Sequence, residues 1–134
     1  GAPAAPATAA WKAAIPDLTS TNQNQRWMAV DAIGHSGDPE AVPYLVPMLK
    51  DADVFVRMAA ARVLGDMKAT AAVPALIDAL EDADTPVRDA AWTAFSSIAG
   101  THLQFDAGAN EAERARRIKA IREWWKKAEE DAKK

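Results

Sequence analysis

The feature that most constrains this chain is an internal repeat with a period of 31 residues. Sliding the sequence against itself brings Arg26, Arg57 and Arg88 into line, followed by Ala29, Ala60 and Ala91, and then by Ile33, Leu64 and Phe95. Upstream, Trp11, Val42 and Val73 coincide, as do Ile15, Val46 and Ile77, and Leu18, Leu49 and Leu80. The turns repeat as well: Asp51-Ala52-Asp53 matches Asp82-Ala83-Asp84, and Pro43 matches Pro74. A period of this length marks stacked supersecondary units, because a unit of about 30 residues cannot bury its own apolar face.

Within a unit the apolar positions fall at three- and four-residue steps, which is helical spacing. Val56, Ala59, Ala60, Val63 and Leu64 make one stripe, and Val73, Leu76, Ile77 and Leu80 make a second, with Gly65 offering a stop between them. Each unit therefore reads helix, turn, helix. The expected architecture is all-α, an α-α superhelix of about three helical hairpins. Residues 8–18, whose Trp11, Ile15 and Leu18 share the register of the second helices, form a capping half-unit at the N-terminal end. At the other end Trp124 and Trp125, on a helix with Ile118 and Ile121, are expected to plug the open core.

The units Asp53 to Leu80, with D-x-x-V-R-x-x-A-A-x-x-L-G and then A-V-P-x-L-x-x-x-L, and Asp84 to Gly100 resemble HEAT repeats of the short kind first described in bilin lyases. The final unit departs by inserting Thr101–Asn110, yet Gly100, Phe105, Glu113-Arg114 and Trp124-Trp125 are similar to the closing segment of many bacterial proteins of this group, with Asp106, directly after Phe105, out of its register. Over residues 8–128 the resemblance implies a HEAT/armadillo-like solenoid. For function it implies less, because this fold hosts scaffolds, lyases and hydroxylases alike.

Composition narrows the possibilities. Residues 1–110 carry seven basic and thirteen acidic side chains, whereas residues 111–134 carry nine basic and six acidic. An acidic body repels phosphate, which makes nucleic acid a poor partner for most of the surface and leaves only the basic final helix as an alternative site. There is no cysteine, which removes disulfides, thiolate metal sites, thiol nucleophiles and thioether attachment of a chromophore. No run approaches the roughly 20 apolar residues of a membrane helix. The chain divides into an Ala/Pro-rich leader at 1–7, a repeat domain at 8–128 and a charged tail at 129–134. Ala/Pro-rich leaders of this kind often succeed a removed export signal and have the composition of an interdomain linker too; the exported or periplasmic reading is slightly favoured over the cytoplasmic one.

Catalytic groups are poorly supplied. His35 and His102 fall in turns of different units, with no recurring His-Glu pair of the kind that metal-dependent hydroxylases of this fold class require. Asp51, Asp53, Glu81, Asp82 and Asp84 lie on solvated turns, without the glycine and terminal glutamate of a calcium loop. Neither a metal nor a cofactor is expected, and neither is enzymatic activity. Asp53 and Asp84 are placed as helix N-caps, and Arg26, Arg57 and Arg88 as structural residues reaching the turn carboxylates of their own or the preceding unit. Asn22 with Arg26 repeats the device without the charge. Pro47, inside the second stripe, is expected to kink its helix, with Pro16 as its counterpart.

These features together point to a non-catalytic scaffold for a protein or peptide partner, with small molecules disfavoured. The expected contact surface is the ridge formed by the second helices, at Tyr44, Pro47 and Met48 and then Ala75, Asp78 and Ala79. The competing reading of Tyr44 and Met48 is packing against the neighbouring unit. Trp27 falls off the core stripe, either as an exposed anchor or packed against the capping segment. The alternatives are a bilin-lyase-like chromophore-handling protein, on resemblance alone, and nucleic-acid binding through the final helix.

Overall fold

In a computed structural model the repeat becomes a row of helical hairpins, described over residues 10–134. The leader read at 1–7 and the first two residues of the repeat domain lie outside the described residues. Helix α1 (Ala10–Thr19) is 3-10 throughout and carries Pro16. It is followed by α2 (Gln23–His35). Segment α3 spans 39–50 as a 3-10 turn (Pro39–Ala41), one α turn (Val42–Leu45) and a second 3-10 stretch (Val46–Lys50). Next come α4 (Val54–Asp66) and α5, which spans 70–81 in the same three-part form (Thr70–Ala72, Val73–Asp78, Ala79–Glu81). The chain closes with α6 (Thr85–Ala99) and α7 (Glu111–Ala132), so the helix runs on through most of the expected charged tail. No strand occurs among the described residues.

Helix α4 packs between α2 and α6 in a first row, while α1, α3, α5 and α7 form the second. The equivalent residues Ile33, Leu64 and Phe95, and the equivalent pair Leu45 and Leu76, are fully buried between the rows. Helix α7 serves both as the second helix of the third hairpin and as the far cap. Its Ile118 and Ile121 are buried, and Trp124 and Trp125 meet the Phe95 ring edge-on, each at 6.3 Å. At the near cap Trp11 is buried, its indole N–H donating to Asp38 at 3.0 Å.

The glycines of the repeat do a different job from the expected one. Gly34 and Gly65 lie inside the last turns of α2 and α4 rather than stopping them. A Cβ on Gly65 would come within 2.9 Å of Ala94 Cα and Cβ, so the glycine is what lets α4 and α6 approach. The left-handed residues that end the first helices come three positions later, at Gly37 (φ 64°) and Lys68 (φ 52°), and at Gly100 (φ 62°) after α6.

The arginines also depart from expectation. Each points its Nη1 back to a carbonyl six residues upstream, Ser20 for Arg26, Asp51 for Arg57 and Asp82 for Arg88, at 2.8–2.9 Å. For Arg26 and Arg57 the rest of the guanidinium reaches forward to the next turn along the chain, not to a preceding unit: Arg26 grips Asp51 with two bonds of 2.9 and 3.1 Å, and Arg57 grips Asp82 at 3.0 and 3.3 Å. This direction comes from the hairpin geometry, which brings the next turn beside the start of each first helix. Asp53 caps α4 by accepting from Val56 N–H at 3.0 Å. Asp84 holds the cap position of α6 but makes no side-chain capping bond; it accepts from Arg57 Nη2 at 2.6 Å instead. Arg88 is buried and ends on the Ala107 carbonyl of the inserted segment, since no aspartate stands in register there.

Candidate functional site

Two faces can be compared, and the second-helix ridge comes first because the repeat pattern points there. Tyr44 is 43% exposed and leans edge-on against Trp11 at 5.6 Å. Pro47 and Asp78 line one depression of about 310 Å³ between α3 and α5. Met48, expected on the ridge, is only 8% exposed and lies in the core. Ala79, its counterpart 31 residues on, is buried for the same reason. Both fall where the backbone has tightened from α to 3-10, and at three residues per turn the inward stripe becomes Val42, Leu45, Met48 rather than Val42, Val46, Leu49 alone. Pro47 lies at the start of that 3-10 stretch, and the helix changes its winding there in place of the expected kink; the same change occurs in α5, where Asp78 stands in its place. Asp78, on the same face, accepts from Arg122 of α7 at 2.9 Å and so helps dock the cap.

The first-helix face is different. Trp27 (37% exposed), Met28 (62%) and Phe55 (64%) all lie here, which leaves Tyr44 as the single large exposed hydrophobic outside it among the described residues. A groove of about 370 Å³ runs along α4 and α6 with Trp27 at one end. Its floor is Ala59, Ala90 and Ala94, low because these side chains are small and because Gly65 seats α6 against α4. Phe55 and Met58 stand as its apolar wall. Toward the C-terminal end of α4 the lining turns polar, with Arg62, Asp66, Thr93 and Ser97. Arg62 is held by Asp31 of α2 at 3.0 Å, and Lys68 by the Ser97 carbonyl and hydroxyl at 2.8 and 2.5 Å.

Of the sequence candidates, only Trp27 falls in this groove. Phe55 was missed, although its signal is legible: it occupies the place of Asn24 and Pro86, off both apolar stripes, where a large aromatic has no core to enter. Met58 sits at the register position of Trp27 and Asp89.

Elsewhere the chemistry is sparse. Among the described residues no group of three or more histidine and acidic side chains is placed to hold a metal ion, and no helix is long and apolar enough to cross a membrane. Two carboxylates are more acidic than usual. Asp38 is held below the ordinary value by the Glu40 backbone N–H and then by the Trp11 indole. Glu113 is lowered by the hydrogen bond and charge of Arg116, with a smaller contribution from Arg117. Both are partly exposed and make structural contacts rather than acid–base pairs. On α7 Arg116 and Arg117 pair with Glu113 and Arg122 with Asp78 and Glu81, while Lys119, Lys126 and Lys127 have no ion-pair partner among the described residues.

A family profile described as HEAT repeats matches residues 12–96, more than half of the chain. No curated relative matches it.

Proposed function

The chain belongs to the HEAT-repeat family, and from that premise we propose that it is a non-catalytic scaffold whose first-helix face docks a protein or peptide partner. Stacked helical repeats of this kind typically mediate protein interactions, since their rigid rows present continuous surfaces. The observation that supports the docking face is the clustering of the exposed Trp27 and Phe55 with Met58 around a floor of alanines, an apolar concavity walled by large side chains. Exposed aromatics beside a groove are the side chains that contribute most at interfaces. The second-helix ridge is the competing surface, favoured by the exposure of Tyr44 beside the depression lined by Pro47 and Asp78. It carries less weight because Met48 is withdrawn into the core and Asp78 is bonded to Arg122.

The test is capture of a partner from native extract with the immobilised chain, then binding of that purified partner to variants. Phe55→Ser with Met58→Ser is expected to weaken binding by at least about tenfold, as loss of a central apolar anchor does. Tyr44→Ala with Pro47→Ala is expected to leave it within about twofold, where ridge contacts of hot-spot rank would cost far more. The reverse pattern would move the interface to the ridge.

A further inference from the structure

The groove has a direction, and its two ends ask for different chemistry. From Phe55 to Asp66 the wall formed by α4 rises by eleven residues, about 16 Å at the helical rise, enough for roughly three turns of an incoming helix. The N-terminal end is apolar, made by Trp27, Phe55 and Met58. Asp66, the last residue of α4, closes the C-terminal end and stands exposed with no ion-pair partner among the described residues. The helix dipole of α4 adds partial negative charge at the same end.

Of the nearby cations, Arg62 is paired with Asp31, whereas Lys68, held by the uncharged Ser97 carbonyl and hydroxyl, keeps its charge and offsets Asp66 in part. Two further carboxylates keep the balance around the groove acidic. Asp53 lines the adjoining depression beside Trp27 and Phe55 while capping α4, and Asp89 is exposed on α6. The surrounding body carries thirteen acidic side chains against seven basic ones over residues 1–110. An acidic segment would meet repulsion both locally and at long range, whereas a cationic one would be drawn in.

We propose that the occupant of the Trp27–Phe55–Asp66 groove is a cationic amphipathic helix of a protein partner, its apolar anchor seated against Phe55 and Met58 and a Lys or Arg, two to three turns away, meeting Asp66. This rests on the docking face proposed above and adds the chemical class and polarity of the segment that docks there.

A display library of random 16-residue peptides, selected against the full chain, tests it. Enriched sequences are expected to pair large apolar residues at helical spacing with a Lys or Arg, to lose at least about tenfold in binding to Phe55→Ser, and to lose about three- to tenfold to Asp66→Lys or to a rise in salt from about 0.05 to 0.5 M. Enriched peptides that are neutral or acidic but still need Phe55 would overturn the charge assignment and leave the groove standing. Binding indifferent to Phe55, or a library that yields no binder, would overturn the assignment of a helix to the groove.

Discussion

The two faces of the solenoid are built from the same 31-residue repeat, yet one turns its large side chains inward and the other leaves them out. In the second row α3 and α5 are short and tighten into 3-10 winding, which carries Met48 and Ala79 into the core. In the first row α4 and α6 are regular helices seated closely by a glycine, and regular winding holds Phe55 and Met58 at the surface. The difference teaches that within a repeat the exposure of a residue depends on backbone winding as well as on register.

The largest expected effect separates the faces by stability. Met48→Ala should cost about 2–4 kcal/mol, because it removes a thioether from the core. Phe55→Ala should stay within about 0.5 kcal/mol, as an exposed side chain does. Urea unfolding monitored by tryptophan fluorescence reads both, and equal costs would erase the distinction.

The ladder of arginines that holds successive turns together ranks next. Arg57→Met removes bonds from a shielded guanidinium to Asp82 and to two carbonyls and should cost about 1.5–3 kcal/mol. Arg62→Met breaks an exposed pair on the docking face and should cost about 0–1 kcal/mol. Thermal unfolding of the two variants side by side checks the order.

Gly65→Ala sharpens the account of the groove floor. Its added methyl meets the Ala94 backbone, so α4 and α6 must part, at a cost of about 1–3 kcal/mol and with a widened floor. A crystal structure of the variant would show whether the helices separate; unchanged spacing and unchanged stability would contradict the close-approach role.

The smallest effect is a pH dependence at the near cap. Asp38 is more acidic in the folded chain than its ordinary value of 3.8. It therefore contributes stability above that value, lost as pH falls through the lower folded pKa. Trp11 fluorescence should report loosening of α1 below about pH 4, and Asp38→Asn should flatten that response.

Much of this was legible in the sequence. The repeat carries the hairpins, the caps at Asn22 and Asp53, and the terminal tryptophans, because each depends on local spacing or on an end that must be closed. The features that stayed hidden depend on the third dimension. The forward reach of Arg57 to Asp82 needs the hairpin to be closed before it can be seen. Gly65 reads as a stop until Ala94 is brought against it. Met48 reads as exposed on a 3.6-residue period and as buried on a 3-residue one, and the local pattern does not announce the change, since α5 makes it with Asp78 where α3 has Pro47.

The most direct test of the account is to place a photoreactive side chain at position 55 and, separately, at position 44, and to irradiate each chain with its bound partner. The account predicts a covalent adduct from position 55 and little or none from position 44. Adducts formed from position 44 alone would contradict it and return the interface to the second helices.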